Sequence, residues 1–221
     1  MTTLTTTPLA PLLDRLFMEA DAMQPAMNAF VTDLSSEERG RLMRSKTDYL
    51  DLYGRLKDLP LPVSRETGAL LYMLARGTRA RTIVEFGTSF GISTLHLAAA
   101  LRDNGGGRLI TSEFEPSKIA RARDNLTAGD LIDLVEIREG DALLTLSVDL
   151  PDTIDLLLLD GAKALYADVL SLVESHLKPG AFIVADNADY SPEYLKRVRA
   201  PARGYMSMPF GGDVELSMRL G

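Results

Sequence analysis

The 221-residue chain contains no cysteine. Disulfides and thiolate metal sites are therefore excluded, oxygen atoms become the natural ligands for any metal, and a reducing cytoplasmic setting fits. A basic excess is also missing. The formal net charge of -7 argues against adhesion to nucleic acid or anionic lipid and leaves small molecules as the expected partners. No apolar run approaches the ~20 residues of a spanning helix. Met1 to Pro8 is rich in threonine and lacks the basic start and apolar stretch of a secretory signal, so neither membrane insertion nor export is indicated. With 46% hydrophobic and 25% charged residues, the usage is that of an ordinary globular protein, and the length predicts a single domain over 1–221.

What is present divides into two parts, a helical preface over 1–60 and a core over 61–221. From Leu9 to about Asp58 the pattern is helical, with Leu12, Leu13, Leu16 and Phe17 on one face. The Pro60-Leu61-Pro62 stretch breaks it, and Ser64 to Thr67 supplies capping residues for a new helix through Leu70, Leu71 and Leu74. Short β-prone runs then alternate with helical stretches: Thr82 to Phe86, Leu109 to Ser112, Leu134 to Arg138, Ile154 to Leu159 and Ala181 to Ala185. Such alternation implies βαβ crossovers. The leucines Leu156 to Leu159 suit a strand buried on both faces. Tyr205 to Pro209 and Val214 to Arg219, joined by Phe210-Gly211-Gly212-Asp213, read as an antiparallel hairpin. The predicted fold is α/β, a Rossmann-like and mostly parallel seven-stranded sheet with helices on both faces.

The first strand runs into Val84-Glu85-Phe86-Gly87-Thr88-Ser89-Phe90-Gly91-Ile92-Ser93-Thr94. Glycines at such a strand-to-helix turn let a ligand approach the backbone, and open α/β sheets bind ligands beyond their strand ends. A tight turn without a ligand is the competing explanation. Glu113, at the end of the next strand, is placed to accept both ribose hydroxyls of an adenosine ligand, whereas neighbouring Glu115 suits a solvated carboxylate. Arg138-Glu139-Gly140-Asp141-Ala142 follows the third strand, where Asp141 and backbone amides around Ala142 face an adenine edge unless the segment is only a turn. The Gly-x-Gly-x-x-Gly pattern of dinucleotide sites is absent, and a carboxylate at Glu85 repels pyrophosphate while suiting an ammonium group. That contrast favours S-adenosylmethionine over NAD. Val63, Gly87, Ser89, Ser93 and Asp160 complete the expected cofactor set.

Three stretches carry a resemblance to a family: Glu85 to Ser93, Asp160-Gly161-Ala162-Lys163-Ala164-Leu165-Tyr166, and Ala185-Asp186-Asn187. Over roughly Pro62 to Leu220 the chain resembles the class I methyltransferases, and within them the small metal-dependent O-methyltransferases that include catechol and caffeoyl-CoA O-methyltransferases. The resemblance implies a divalent cation, usually Mg²⁺, on Asp160, Asp186 and Asn187. Two carboxylates and an amide oxygen do form a hard-oxygen half-shell. It also implies Lys163 as general base or orienting group, with Asp160 beside it, and a homodimer. The competing readings are a helix cap for Asp160, a turn for Asp186-Asn187 and a solvated first-turn lysine for Lys163. Serving as base requires the Lys163 pKa to be depressed from ~10.4 towards neutrality.

The expected reaction is transfer of a methyl group to a metal-chelated hydroxyl of a catechol-like or other vicinal-oxygen small molecule. Ala188-Asp189-Tyr190-Ser191-Pro192 departs from the Trp- and Gly-containing stretch of the plant enzymes, so their acceptors do not transfer. Tyr190, Tyr194 and Met206 to Met208 are candidates for the acceptor wall, while Tyr166, His96 and His176 are expected to pack. The rivals are a metal-independent small-molecule methyltransferase, a non-catalytic S-adenosylmethionine-binding protein and an NAD oxidoreductase. The preface helices suit a lid or a dimer interface equally.

Overall fold

The computed structural model describes all residues but Pro201, 1–200 and 202–221. Three helices form the preface: α1 (Leu9–Asp33), α2 (Ser36–Arg44) and α3 (Tyr49–Arg55). The sequence pattern, continuous from Leu9 to Asp58, missed two breaks. Ser35 ends the first run by accepting the Glu38 amide at 3.1 Å, which caps α2. Ser45 accepts the amides of Thr47 and Asp48, and its turn separates α2 from α3. The buried residues of α1, Leu9 to Ala20, all precede its internal Pro25. The second half leaves the core and reaches over the crevice described below.

The core follows in βα order: α4 (Arg65–Gly77), β1 (Thr82–Phe86), α5 (Ile92–Asp103), β2 (Arg108–Glu113), α6 (Pro116–Ala128), β3 (Val135–Glu139), α7 (Ala142–Thr145), β4 (Ile154–Leu159), α8 (Tyr166–Val173), β5 (Leu177–Ala185), α9 (Pro192–Val198), β6 (Tyr205–Phe210) and β7 (Val214–Arg219). Ser64 caps α4 by accepting the Thr67 amide at 3.0 Å. The seven strands lie in the order β3-β2-β1-β4-β5-β7-β6; β1 to β5 are parallel, and β7 runs antiparallel to both β5 and β6.

Side chains alternate across the sheet. Ile83, Leu109, Leu156 and Leu158 pack with α1, α5 and α6; Val84, Ile110, Leu157 and Leu159 pack with α8 and Tyr194 of α9. All four consecutive leucines are buried, as a two-sided strand requires. Strand order reverses between β1 and β4, and at such a switch point the crossovers leave to opposite sides and open a crevice beyond the carboxyl ends. The residues following β1, β4 and β5 gather there.

Candidate active site

Gly87 opens the turn after β1 with φ +101°, and a Cβ there would lie 2.7 Å from the Asp160 carbonyl. Glycine is required because the two loops touch backbone to backbone. The Asp160 amide donates to the Phe86 carbonyl at 2.8 Å, which joins the ends of β1 and β4. Ser89 adopts φ +48° in the same turn. Its amide donates to one Glu113 oxygen at 2.8 Å, while the amides of Phe114 and Glu115 donate to the other at 3.0 and 3.1 Å.

A cleft lies above this turn. Gly87, Ser89, Glu113, Asp141, Ala142 and Asp160, six of the residues expected to meet the cofactor, line it together. Ser93 lines a small adjoining recess with Ser89 and Asp160. Asp141 is partly spent as the cap of α7, accepting the Leu143 amide at 2.8 Å, and also accepts from the Tyr49 hydroxyl at 3.4 Å. Two expected residues sit beneath the surface instead. Val63 is buried and lines none of these cavities. Glu85 is wholly buried and accepts the hydroxyls of Ser93 and Thr94 at 2.6 Å each. Burial pushes its carboxyl up to about 7 against the pull of those hydroxyls.

A second cleft, about 1680 Å³ and open to solvent, adjoins the first. Asp160, Lys163, Asp186, Asn187 and Tyr190 form its floor, and α1 to α3 roof it with Met23, Met27, Phe30, Met43, Leu52 and Leu56. The Lys163 ammonium donates to Asp160 at 2.8 Å, and both side chains are nearly buried. Burial is the largest single influence on Lys163 and favours its neutral form, but Asp160, Tyr166, Tyr53 and Asp186 together outweigh it and hold the lysine well above its ordinary value. Burial first, then the Asp160 charge, raises the Asp186 carboxyl. The Tyr166 hydroxyl donates to the Asp186 carbonyl at 2.7 Å, which confirms Tyr166 as a packed, positioning side chain. Asn187 takes a left-handed conformation, φ 49° and ψ 42°, and its amide nitrogen bonds the Asp213 carboxylate. A non-glycine residue there is strained backbone held in place by its neighbours.

Both clefts fit bound groups on their own chemistry. In the first, the Ser112 hydroxyl is buried without a partner. In the second, two carboxylates, Asp160 lying close enough to help raise the Asp186 pKa, with an amide oxygen on the residue adjoining Asp186, make a set that a hard divalent cation satisfies. Among the described residues, no group of three His, Cys, Asp or Glu is placed to hold a metal, so such a cation depends on Asn187 and the acceptor for further ligands.

Sequence reasoning missed Tyr49, Tyr53, Phe114 and Lys118 in the first cleft and Asp213 in the second. Tyr49 and Tyr53 stand one helical turn apart on α3, a spacing that would have marked a shared face had α3 been separated from the preface. Tyr194 belongs to the core, wholly buried and edge-on to Tyr166 with ring centroids 5.9 Å apart. Met206 and Met208 are exposed on edge strand β6 and do not line the cleft. His96 and His176 pack, each with Nδ1 at a backbone carbonyl.

The sequence model of a methyltransferase-domain family matches residues 84–188. Over 130 residues the chain is 36% identical to a catechol O-methyltransferase of Niastella koreensis, covering 58% of each chain. It is 34% identical to one of Mycobacterium tuberculosis over 131 residues, 59% of each. The match thus spans less than two thirds of either relative. Among solved structures, the O-methyltransferase TomG of Streptomyces achromogenes, involved in tomaymycin synthesis and crystallised with S-adenosylmethionine, superposes with a TM-score of 0.64 at 26% identity, covering 85% of this chain and all of that one. In sheet order, crevice and these matches the chain is similar to the class I S-adenosylmethionine-dependent methyltransferases. Within that class, the relatives it resembles include O-methyltransferases named for catechol.

Proposed function

We propose that the protein is an S-adenosylmethionine-dependent O-methyltransferase whose acceptor is a small molecule with vicinal oxygens, presented by a divalent cation, most naturally Mg²⁺. One observation carries the reading: Asp160 lines both the cleft that suits an adenosine and the roofed cleft beside it. Group transfer needs two bound molecules to meet at one point, and alignment of this kind is worth up to ~7 to 11 kcal/mol in favourable cases.

Glu113, Asp141 and Ala142 would hold the adenosine, with Gly87, Ser89 and Ser93 along the amino-acid portion. Val63 and Glu85 act from below, Glu85 by fixing the Ser93 hydroxyl. Asp160, Asp186 and Asn187 would hold the cation. When bound, the cofactor supplies an electrophilic methyl group and the cation supplies positive charge at the acceptor oxygens. Lys163, bonded to Asp160 at 2.8 Å, would orient the acceptor hydroxyl or take its proton. The apolar side chains of α1 to α3 that roof the cleft would shield the transfer on one side from water.

The placement of the preface helices over the second cleft supports their reading as a lid over the acceptor. The resemblance extends to a homodimer, which light scattering checks, and the absence of cysteine fits a reducing cytoplasmic setting. No helix among the described residues is long and apolar enough to cross a membrane. Mass-spectrometric detection of methyl transfer to a panel of catechols and hydroxycinnamates tests the proposal; formation of no S-adenosylhomocysteine with any vicinal diol, despite cofactor binding, would reject it in favour of a binding protein.

A further inference from the structure

The lining of the second cleft divides by chemistry. Its floor is anionic, with Asp160, Asp186 and Asp213, and its roof is apolar, so that the body of a ligand has Met23, Met27, Phe30 and Met43 to lie against. Two cations line it. Lys163 is held by Asp160 at 2.8 Å, whereas Arg39 of α2 takes part in no ion pair among the described residues.

Arg39 is half-buried, and its guanidinium reaches the Val31 carbonyl at 3.5 Å, the outer limit of a hydrogen bond. A guanidinium carries five donors in a planar fork, so that contact leaves most of its capacity unused. The same residue lines an adjoining recess with Arg41, Arg44 and Tyr190. Arg41 is paired with Asp48 at 2.8 Å, Arg44 is exposed without an ion pair, and the exposed Glu37 is the only carboxylate of that lining. Arg39 and Tyr190 are common to both cavities, so the cleft meets the recess where a chain of net charge -7 turns locally basic. The remaining carboxylate of the cleft wall, Asp21, is exposed on α1 and forms no ion pair with Arg39. Arg39 is therefore the group in this cleft that an anionic ligand atom would pair.

Resting on the reading of the second cleft as the acceptor's, we propose that the acceptor is a vicinal diol that also carries a carboxylate. The carboxylate takes the Arg39 fork, the diol lies at the floor of Asp160, Asp186 and Asn187, and the body between them lies under the methionines of the roof. Arg39 is then a residue that determines specificity, selecting anionic diols over neutral ones by charge and by the match of a planar fork to two carboxylate oxygens. It takes no part in the transfer of the methyl group.

The test measures kcat/KM for dihydroxyphenyl carboxylic acids with side arms of increasing length, each beside its primary amide, a neutral group of the same shape, with wild-type protein, R39M and R39K. Hydrogen bonds between charged groups predict a roughly ten- to hundredfold preference of wild type for at least one acid over its amide, carried by KM. R39M should lose that preference, and R39K should keep part of it, because an ammonium retains the charge without the fork. Calorimetric binding of the acid to protein loaded with S-adenosylhomocysteine and Mg²⁺ should depend on residue 39 in the same way, without turnover. Equal use of acid and amide by wild type at every arm length overturns the proposal, as does a preference for the acid that R39M retains in full. Should R39M not fold, R39Q replaces it, and the wild-type comparison of acid with amide remains decisive. Wild-type protein that methylates no vicinal diol, acid or amide, overturns the reading of the cleft itself, a result distinct from equal use of both.

Discussion

Replacing Glu85 with glutamine isolates the cost of a buried carboxylate beneath the cofactor turn. The group has no exposure, and its pKa is raised from 4.5 to about 7, by burial first and against the hydroxyls of Ser93 and Thr94. Below about pH 4.5 the native and unfolded chains are both protonated and nothing is lost. Between there and about pH 7, the native state keeps a proton that the unfolded chain has released, so stability falls as pH rises. At about 1.4 kcal/mol per pH unit, the loss approaches about 3 kcal/mol by pH 8 and stays below about 1 kcal/mol at pH 5. Glutamine resembles the protonated form and removes this dependence. At about 2 to 4 °C per kcal/mol for a chain of this size, E85Q without ligand should melt near wild type at pH 5 and roughly 6 to 12 °C above it at pH 8. Thermal melts across that range decide the matter. A difference between the two proteins that is constant with pH, or that shrinks as pH rises, would refute the reasoning.

Other perturbations address neighbouring parts of the site. Gly87→Ala places a Cβ 2.7 Å from the Asp160 carbonyl in a left-handed conformation; strain of about 1 to 3 kcal/mol from the backbone alone should lower the melting temperature, and displacement of Asp160 should abolish S-adenosylhomocysteine binding by calorimetry. Met27→Trp fills the roofed cleft without touching the adenosine cleft. Steady-state kinetics should show a raised KM for the acceptor with the cofactor affinity unchanged. Tyr166→Phe removes the hydroxyl bonded to the Asp186 carbonyl and leaves a buried acceptor unsatisfied, costing about 1 to 3 kcal/mol in chemical denaturation.

Much of this architecture is legible in the sequence because strand periodicity and strand ends are local signals. The limits of β1 and β4 agree with the expected ones, and Asp160, Asp186 and Asn187 do lie at the ends of adjacent strands. Strand β5 starts at Leu177 rather than Ala181, because Lys178-Pro179-Gly180 has the composition of a turn; a register irregularity between Ile154 and Leu156 of β4 accommodates its early start. Burial of individual polar residues was not legible. Lys118 follows Pro116-Ser117 at a helix start and has the composition of a solvated first turn, yet α6 turns it into the cleft. Glu85 was expected to meet the ligand and instead lies under Ser93, since residues of a two-sided strand point alternately into layers that only the folded sheet defines. The protonation of Lys163 likewise depends on the 2.8 Å contact with Asp160, which spacing alone suggests but does not establish.

Cofactor and acceptor would meet at Asp160 under the control of a divalent cation. The most direct test is methyl transfer from S-adenosylmethionine to a vicinal diol, measured by mass spectrometry with Mg²⁺, with EDTA, and with D160A that still binds S-adenosylhomocysteine. Transfer that depends on Mg²⁺ and is lost in both EDTA and D160A is the predicted result; equal transfer in EDTA, or an active D160A, would contradict it.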